Sequence, residues 1–205
     1  MKIESIKLKV SGFVRCRSAF YTAQDSLCSQ TACEFHVGTN WLRGEIDSGI
    51  WAMSYLLSMY GNQSEDFILH RLENVLVNGT ALMALKDLMP YTCYMDGSYP
   101  LFSSKYTVEE LVKEGLRCFR GSSSAEDVRR LFSLDEERFQ RPLSKNGNEK
   151  YRAMAAIGYC HGKQIFCFPW MSAARFASLH ANITEAINAL AQLGKIVIVP
   201  LGGGG

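Results

Sequence analysis

The sequence has few prolines, no excess of either charge and no long apolar run. Its 205 residues include only 5 prolines, and 47% are hydrophobic against 20% charged, a balance that excludes disordered and fibrous classes. The 22 Lys+Arg against 20 Asp+Glu give a net charge of +2, too small for the basic surface of a nucleic-acid-binding protein. We expect a single domain over residues 1–205, with no nucleic-acid partner and no membrane insertion.

Metal-binding patterns are also missing. The seven cysteines form no CxxC pair and the four histidines form no HExxH motif, so we predict no metal. The odd number of cysteines and the lack of a signal-peptide core predict a reducing, cytoplasmic location. Cys160 and His161 are adjacent, and on a helix their side chains diverge by about 100°, which favours helix-end packing over a nucleophile–base pair.

The N-terminal part reads as β-rich. Residues 2–14 alternate as a strand does, and the apolar run 33–37 predicts a second short strand before Gly38. A glycine-containing loop then precedes an apolar helix over 50–59. Residues 72–77 predict a strand that ends in an Asn-Gly turn.

The C-terminal part alternates helices with buried strands. Thr107 and Glu110 form a capping box that predicts a helix to about Cys118. Continuous apolar runs at 164–168 and 196–199 are typical of strands buried in a parallel sheet, with an amphipathic helix between them. This order predicts an α/β fold with a parallel core sheet.

The order of these pieces resembles the ATP-binding cassette of ABC transporters over about residues 30–201. The strand and phosphate loop of the family are similar to FHVGTNWLRGEIDSG, and its following strand and turn are similar to VNGTALMAL. The family's Q-loop segment is similar to YTCYMDGSYPLFSSKYTVEELVKEGL, and its signature loop and helix are similar to NGNEKYRAMAAIGY. The family's Walker B strand and D-loop are similar to GKQIFCFPWMSAA, and the strand before its H-loop is similar to LGKIVIVPL. The resemblance implies a P-loop NTPase-like, mainly parallel sheet with flanking helices, a β-rich N-terminal part and a helical lobe, at about 91–150, that carries the signature loop.

The phosphate loop keeps the spacing of this family but not its chemistry. In G-x-x-x-x-G-K-[ST], the Lys neutralises phosphate charge and the hydroxyl binds Mg²⁺. Gly44 and Gly49 keep the spacing, but Ile50 and Trp51 stand at the Lys and hydroxyl positions. Taken without the surrounding layout, the two glycines would indicate only a tight turn. We name as the nucleotide-loop remnant Gly44, Asp47, Ser48, Gly49, Ile50 and Trp51.

The other positions that act on ATP in this family are changed as well. The resemblance places Pro169 and Trp170 at the two Walker B carboxylates, Leu201 at the H-loop His and Asp96 at the Q-loop Gln. Because phosphoryl transfer depends on these groups, we expect no catalytic residues and no intrinsic ATP hydrolysis. We also expect no cofactor, with ATP and Mg²⁺ bound only if the degenerate site still binds them.

The best-preserved part is the signature-like loop, which we define as Asn146, Gly147, Asn148 and Glu149. In the family, this loop closes over ATP held by a partner cassette. Asn146 keeps a hydrogen-bond donor, Gly147 permits close backbone approach, and Asn148 adds a side chain where the family has glycine. An ordinary Asn-Gly helix entry is the alternative interpretation.

The function expected from the resemblance is that of a non-catalytic ABC ATPase-like subunit, which binds or regulates an active cassette or a membrane permease. It would be a cytoplasmic dimer that contacts its partner through the Asn146 loop and segment 91–106. With a permease as the partner, it would lie at the inner face of the membrane. Two clusters would line an interaction groove or, by their burial preferences, belong to the core: Met83, Met89 and Met95, and Trp41, Tyr91, Tyr94, Tyr99 and Phe102. The alternatives are an ATP-binding protein with residual nucleotide binding or ATPase activity, an unidentified cysteine-dependent enzyme, and a nucleotide-free homo-oligomeric scaffold.

Overall fold

The structure is a computed structural model that describes residues 2–18, 21–44, 52–59, 67–81, 84–119 and 123–202. Within these ranges, side chains are described except at positions 10–18, 21–32, 52, 59, 67–74 and 148. No described helix is long and apolar enough to cross a membrane.

The N-terminal part is β-rich, as the sequence predicts, and its strands form an antiparallel sheet. Its strands lie in the order β2, β1, β4, β5. A two-residue turn at Asn78 and Gly79, both with positive φ, joins the last two strands. The Asn78 side chain also accepts hydrogen bonds from the backbone N–H groups of Glu4 and Ser5, which ties this turn to the start of the chain. The strand bounds are β1 Ser5–Ser18, β2 Tyr21–His36, β4 Phe67–Val77 and β5 Thr80–Ala81.

The second sheet is parallel, which confirms the predicted core. Its strands lie in the order β3, β8, β7, β6, so the last described strand, β8, lies next to β3. In the register, Trp41 lies opposite Val199, and Phe166 opposite Val197. The bounds are β3 Gly38–Arg43, β6 Thr92–Tyr94, β7 Ile165–Cys167 and β8 Ile196–Leu201.

The chain passes from one sheet to the other at Gly38. The run 33–37, expected to be a short strand of its own, is instead the end of the longer strand β2 with one following residue, and a separate strand begins at Gly38. Gly38 has φ +101, a conformation that favours glycine. The Asn40 side chain bridges the break: its Oδ1 accepts from the N–H of His36 and its Nδ2 donates to the His36 carbonyl.

Helices cover both faces of the parallel sheet. Helix α1, Ala52–Met59, contacts strands of both sheets, and its side chains 53–58 are all buried. On the other face, α5 packs on α6, and α2 packs outside α5. The predicted capping box of α2 is present, since Thr107 and Glu110 each accept a hydrogen bond from the other's backbone N–H. The remaining helices are α2 Val108–Phe119, α3 Ala125–Leu131, α4 Glu136–Phe139, α5 Lys150–Cys160 and α6 Ala173–Gln192.

Candidate functional site

The four parallel strands end at one edge of the sheet, and this carboxyl edge is where ligands bind in open α/β folds. Strand β3 is followed there by Gly44, and β8 by Gly202. Strand β7 leads into the segment 168–170, and β6 leads to Asp96. The carboxyl edge therefore brings together the positions that the resemblance assigns to the phosphate loop, Walker B, the Q-loop and the H-loop.

The segment after β7 supplies no carboxylate. Phe168 is buried and its N–H donates to Ile198 O at 2.9 Å, which continues the sheet by one residue. Pro169 and Trp170 follow it, and the Trp170 indole Nε1 donates to the Gly44 carbonyl at 3.2 Å. At this point of the edge, the described residues offer an indole and an apolar surface, which do not fit a magnesium ion.

The nucleotide-loop remnant is described only at its first residue. The Gly44 N–H donates to Leu201 O at 3.1 Å, and the Gly44 carbonyl accepts from Trp170. Asp47, Ser48, Gly49, Ile50 and Trp51 lie outside the described residues. The predicted helix after the loop is present as α1, and its Ser54 hydroxyl donates to the Phe168 carbonyl.

Asp96 forms a local turn, and its charge also acts on Tyr151, to which the sequence analysis assigned no role. Its Oδ1 accepts from the N–H of Ser98 at 3.0 Å and from the Ser98 hydroxyl at 2.7 Å. Burial raises the pKa of the Tyr151 hydroxyl; a hydrogen bond and charge from Arg175 oppose this effect, and the charge of Asp96 adds to it. Tyr151 on α5 and Arg175 on α6 therefore share a hydrogen bond, and the charge of Asp96 acts on the same hydroxyl. Sequence reasoning assigned no role to Tyr151, although it lies in the segment NGNEKYRAMAAIGY, or to Arg175, which belongs to no quoted motif.

Tyr151 also joins helix α5 to the carboxyl edge. Its ring stacks on Phe168 with centroids 5.9 Å apart and planes 22° apart. Arg175 lies in the first turn of α6, where its N–H is capped by the Ser172 hydroxyl at 3.2 Å. The helix that follows the signature-like loop is thus coupled to the segment after β7.

The signature-like loop is present as a short turn before α5, but its Asn146 side chain points inward. Asn146 is fully buried and its Nδ2 donates to the Pro142 carbonyl at 3.1 Å. The Asn146 amide keeps the hydrogen-bond donor that the sequence analysis noted, and in this structure that donor binds the backbone of the preceding turn. Gly147 is exposed with φ +54, and the side chain of Asn148 lies outside the described residues.

Glu149 is the centre of an ion-pair network that fixes the start of α5. Its carboxylate accepts from the N–H of Asp135 at 3.2 Å and pairs with Arg138 at 3.4 Å and Arg152 at 3.1 Å. Arg152 also pairs with Glu185 on α6. Because these partners lie on different elements, Glu149 holds the signature-like loop against the rest of the helical part.

A cavity of about 390 Å³ lies between the segment after Asp96 and the signature-like loop. Phe102, Leu143 and Met154 give it apolar walls, and Lys150 provides a cation. Of the two interpretations of the aromatic residues in 91–106, groove or core, the structure favours the core for Tyr94, Tyr99 and Phe102, whose side chains are buried. What this segment exposes is mainly polar: Gly97, Ser98, Pro100, Ser104, Lys105 and Tyr106.

Cys160 and His161 pack at the end of α5, as the sequence predicts. Burial raises the pKa of the Cys160 thiol to about 12, and the His161 Nε2 lies 2.9 Å from the Leu111 carbonyl. Within the part of the chain that the structure describes, no cluster of His, Cys, Asp and Glu could hold a metal ion. The described cysteines therefore give no sign of a reactive thiolate pair.

No protein-family model matches the sequence, and no curated protein matches it. Solved structures do match. One described as the ATP binding subunit of an ABC transporter is 16% identical with a TM-score of 0.61, and the match covers 96% of this chain and 79% of that one. A putative ABC transporter (ATP-binding protein) from Pyrococcus furiosus is 12% identical with a TM-score of 0.61, and the match covers 97% and 92% of the two chains.

These matches correct one expectation. Both similar structures are described as ATP-binding. That description contradicts the expectation of no cofactor, which rested only on the residue types at aligned positions. At 12–16% identity the likeness shows the fold and not the activity. Together with the strand order and the helices on both faces of the sheet, it shows that this chain has an ABC ATPase-like, P-loop NTPase-like α/β fold.

Proposed function

We propose that the chain is an ABC-type subunit that does not hydrolyse ATP by itself and acts by binding a partner, either an active cassette or a membrane permease. The observation that carries this proposal is the end of β7, where Pro169 and Trp170 follow the strand and the indole donates to Gly44. Hydrolysis in P-loop NTPases needs a carboxylate that holds Mg²⁺ and a residue that orients water. Neither Pro169 nor Trp170 can do either task.

Two exposed regions flank the 390 Å³ cavity and form the proposed partner surface. The first is the polar stretch that includes Ser104 and Lys105, and the second comprises Ser144, Lys145 and Gly147, around the start of the signature-like loop. The Glu149 network holds the second region rigidly, which lowers the entropy cost of binding. Through a permease, the subunit would lie at the inner face of the membrane.

The alternative is an ATP-binding protein with residual nucleotide binding or ATPase activity. The descriptions of the two similar structures favour it. The two proposals agree on fold and differ on turnover.

Turnover by the purified chain separates them. We expect no phosphate release above background in the presence of Mg²⁺ and millimolar ATP. Asp96→Ala is the control for contamination, because turnover by a co-purifying enzyme would not respond to this change. Phosphate release that survives two orthogonal purifications and changes in Asp96→Ala would overturn the proposal in favour of the alternative.

The partner surface is tested with a photo-crosslinking amino acid placed in turn at positions 105 and 145. The matched control is position 7, which is exposed on the antiparallel sheet. We expect crosslinks to a cassette or an integral membrane protein from 105 and 145 and none from 7. Equal crosslinking from all three positions, or crosslinks only to unrelated proteins, would contradict the proposed surface.

A further inference from the structure

The cavity of about 390 Å³ beside the signature-like loop has a volume in the range of small-molecule sites. Its lining residues come from two stretches, 97–104 after β6 and 143–154, which runs from the turn before the loop into α5. None of them belongs to the nucleotide-loop remnant or to the segment 168–170. The cavity is therefore a separate feature from the phosphate-loop and Walker B positions.

The inner end of this cavity is apolar. Phe102, Leu143 and Met154 line it, and their exposed fractions are only 4%, 6% and 0%. Side chains that are so well buried belong to the packed interior, so they form the floor of the cavity and not its mouth. An apolar group that reaches this floor leaves water, which favours its binding.

The mouth is polar and open. The remaining uncharged lining residues are all exposed: Gly97, Ser104, Ser144 and Gly147. A Cβ built at either glycine would have no heavy atom within 4 Å, so a ligand could approach the backbone there. The two serine hydroxyls can each donate or accept a hydrogen bond. This mouth suits a polar head group on a ligand whose body is apolar.

Lys150 supplies the one charge among the described lining residues. It is partly buried at the start of α5, and its Nζ lies 5.2 Å from the centroid of the Tyr151 ring. Within the described part of the chain, no carboxylate pairs with it. The neighbouring Glu149 carboxylate pairs instead with Arg138 and Arg152. The ammonium group of Lys150 is thus available to an anion in the cavity.

We propose that the cavity binds a small monoanion with an apolar body, of the class of short alkyl carboxylates. The carboxylate binds Lys150 and the serine hydroxyls, and the alkyl chain packs on Phe102, Leu143 and Met154. One ammonium group balances one negative charge, whereas a phosphate monoester carries nearly two. This inference goes beyond the proposed function, because it adds a small-molecule ligand. An apolar side chain of a protein partner is the competing occupant.

The test is a titration of octanoate into the full chain labelled with [¹³C-methyl]methionine. Met154 is identified by the methyl resonance that disappears in Met154→Leu, and the buried Met171 after β7 is the internal control. Octanamide has the same chain without the charge, and butanoate has the charge with a shorter chain. For a ligand of about ten non-hydrogen atoms, we expect a Kd between roughly 10 μM and 1 mM.

Two variants isolate the charge. Lys150→Met keeps an unbranched side chain and removes the ammonium group. Lys145→Met is the matched control, because it removes the same charge from the same stretch but lies outside the described lining. We expect octanoate to bind about tenfold more weakly to Lys150→Met and within about twofold of the parent to Lys145→Met.

The other ligands test the two halves of the site on the unmodified chain. Octanamide should bind about tenfold more weakly than octanoate, with no further loss in Lys150→Met. Butanoate should also bind at least about tenfold more weakly than octanoate, because it buries less apolar surface. If Lys150→Met does not fold, as thermal unfolding would show, the comparison of octanoate with octanamide decides.

Three results would overturn the proposal. They are no saturable shift of the Met154 resonance at about 10 mM octanoate, an equal shift of Met171, and equal affinities for octanoate and octanamide. Crosslinks from positions 105 and 145 without octanoate binding would assign the cavity to the protein partner and leave the proposed function intact. Phosphate release by the chain would overturn the proposed lack of hydrolysis and leave octanoate binding unaffected.

Discussion

Replacing Glu149 by Gln tests whether the start of the signature-like helix is held by charge. The substitution keeps the shape of the side chain and removes its negative charge. Its three partners are the backbone N–H of Asp135 and the guanidinium groups of Arg138 and Arg152. The side chains of Glu149 and Arg152 are only 13% and 12% exposed, so the lost charge is poorly replaced by water.

The size of the effect follows from that burial. Breaking a buried ion pair costs about 3–5 kcal/mol, whereas an exposed pair contributes roughly 0–1 kcal/mol. Glu149 resembles the buried pair more than the exposed one. In the variant, however, Arg152 still pairs with Glu185, which reduces the loss. We therefore expect Glu149→Gln to lower the free energy of unfolding by about 1.5–3 kcal/mol. For a chain of this length, the corresponding fall in Tm is roughly 4–10 °C.

Glu185→Gln is the matched control. It removes a carboxylate from the same Arg152, but the Glu185 side chain is 53% exposed, so we expect a loss below about 1 kcal/mol. Both variants are compared by urea unfolding at neutral pH and low salt. Equal losses for the two variants, or a Glu149→Gln variant as stable as the parent, would refute the reasoning that burial makes this network important.

Three further predictions concern packing, thiol access and pH. Gly115→Ala should destabilise the fold by about 1–3 kcal/mol in urea unfolding, because its Cβ would lie 2.7 Å from a backbone carbon of α5. The control Gly97→Ala places its Cβ in open space and should change stability by less than about 0.5 kcal/mol. A disulfide reagent should modify the exposed Cys118 in the native protein. It should reach the buried Cys93, whose pKa is raised mainly by burial, only on unfolding. Equal rates of modification of the two thiols in the native protein would contradict this prediction. Hydrogen bonding from the Arg129 side chain lowers the pKa of Glu126 from 4.5 to about 2. The stability that this carboxylate contributes is present above pH 4.5 and lost as pH falls toward 2, so an NMR titration midpoint near 4.5 would show the interaction to be absent in solution.

Most elements of the fold could be predicted from the sequence because their signals are local. The Thr107 capping box, the Asn78-Gly79 turn and the apolar runs at 164–168 and 196–199 correspond to a helix start, a hairpin and two buried strands. The division of 21–43 between two sheets could not be predicted. It depends on the positive φ at Gly38 and on pairing with strand β8, which is distant in sequence.

The candidate site could be predicted less well. The sequence located Pro169 and Trp170 after a buried strand, because the strand pattern is strong there. It did not show that Trp170 bonds to Gly44, that Asn146 is buried, or that Tyr151 meets Arg175. Each of these contacts joins elements that are far apart in the chain, and residue types alone do not encode which side chains a fold brings together.

The pairing of β3 with β8 has a consequence for biosynthesis. Strand β3 lies in the first quarter of the chain, and its partner in the parallel sheet is the last described strand. At about 5–20 residues per second, the ribosome completes β8 roughly 8–30 s after β3. Throughout that time the central partner is missing, and the parallel sheet cannot assemble. A nascent chain with an unpaired apolar strand is prone to aggregate, so we expect a chaperone to hold the N-terminal portion until β8 has been synthesised.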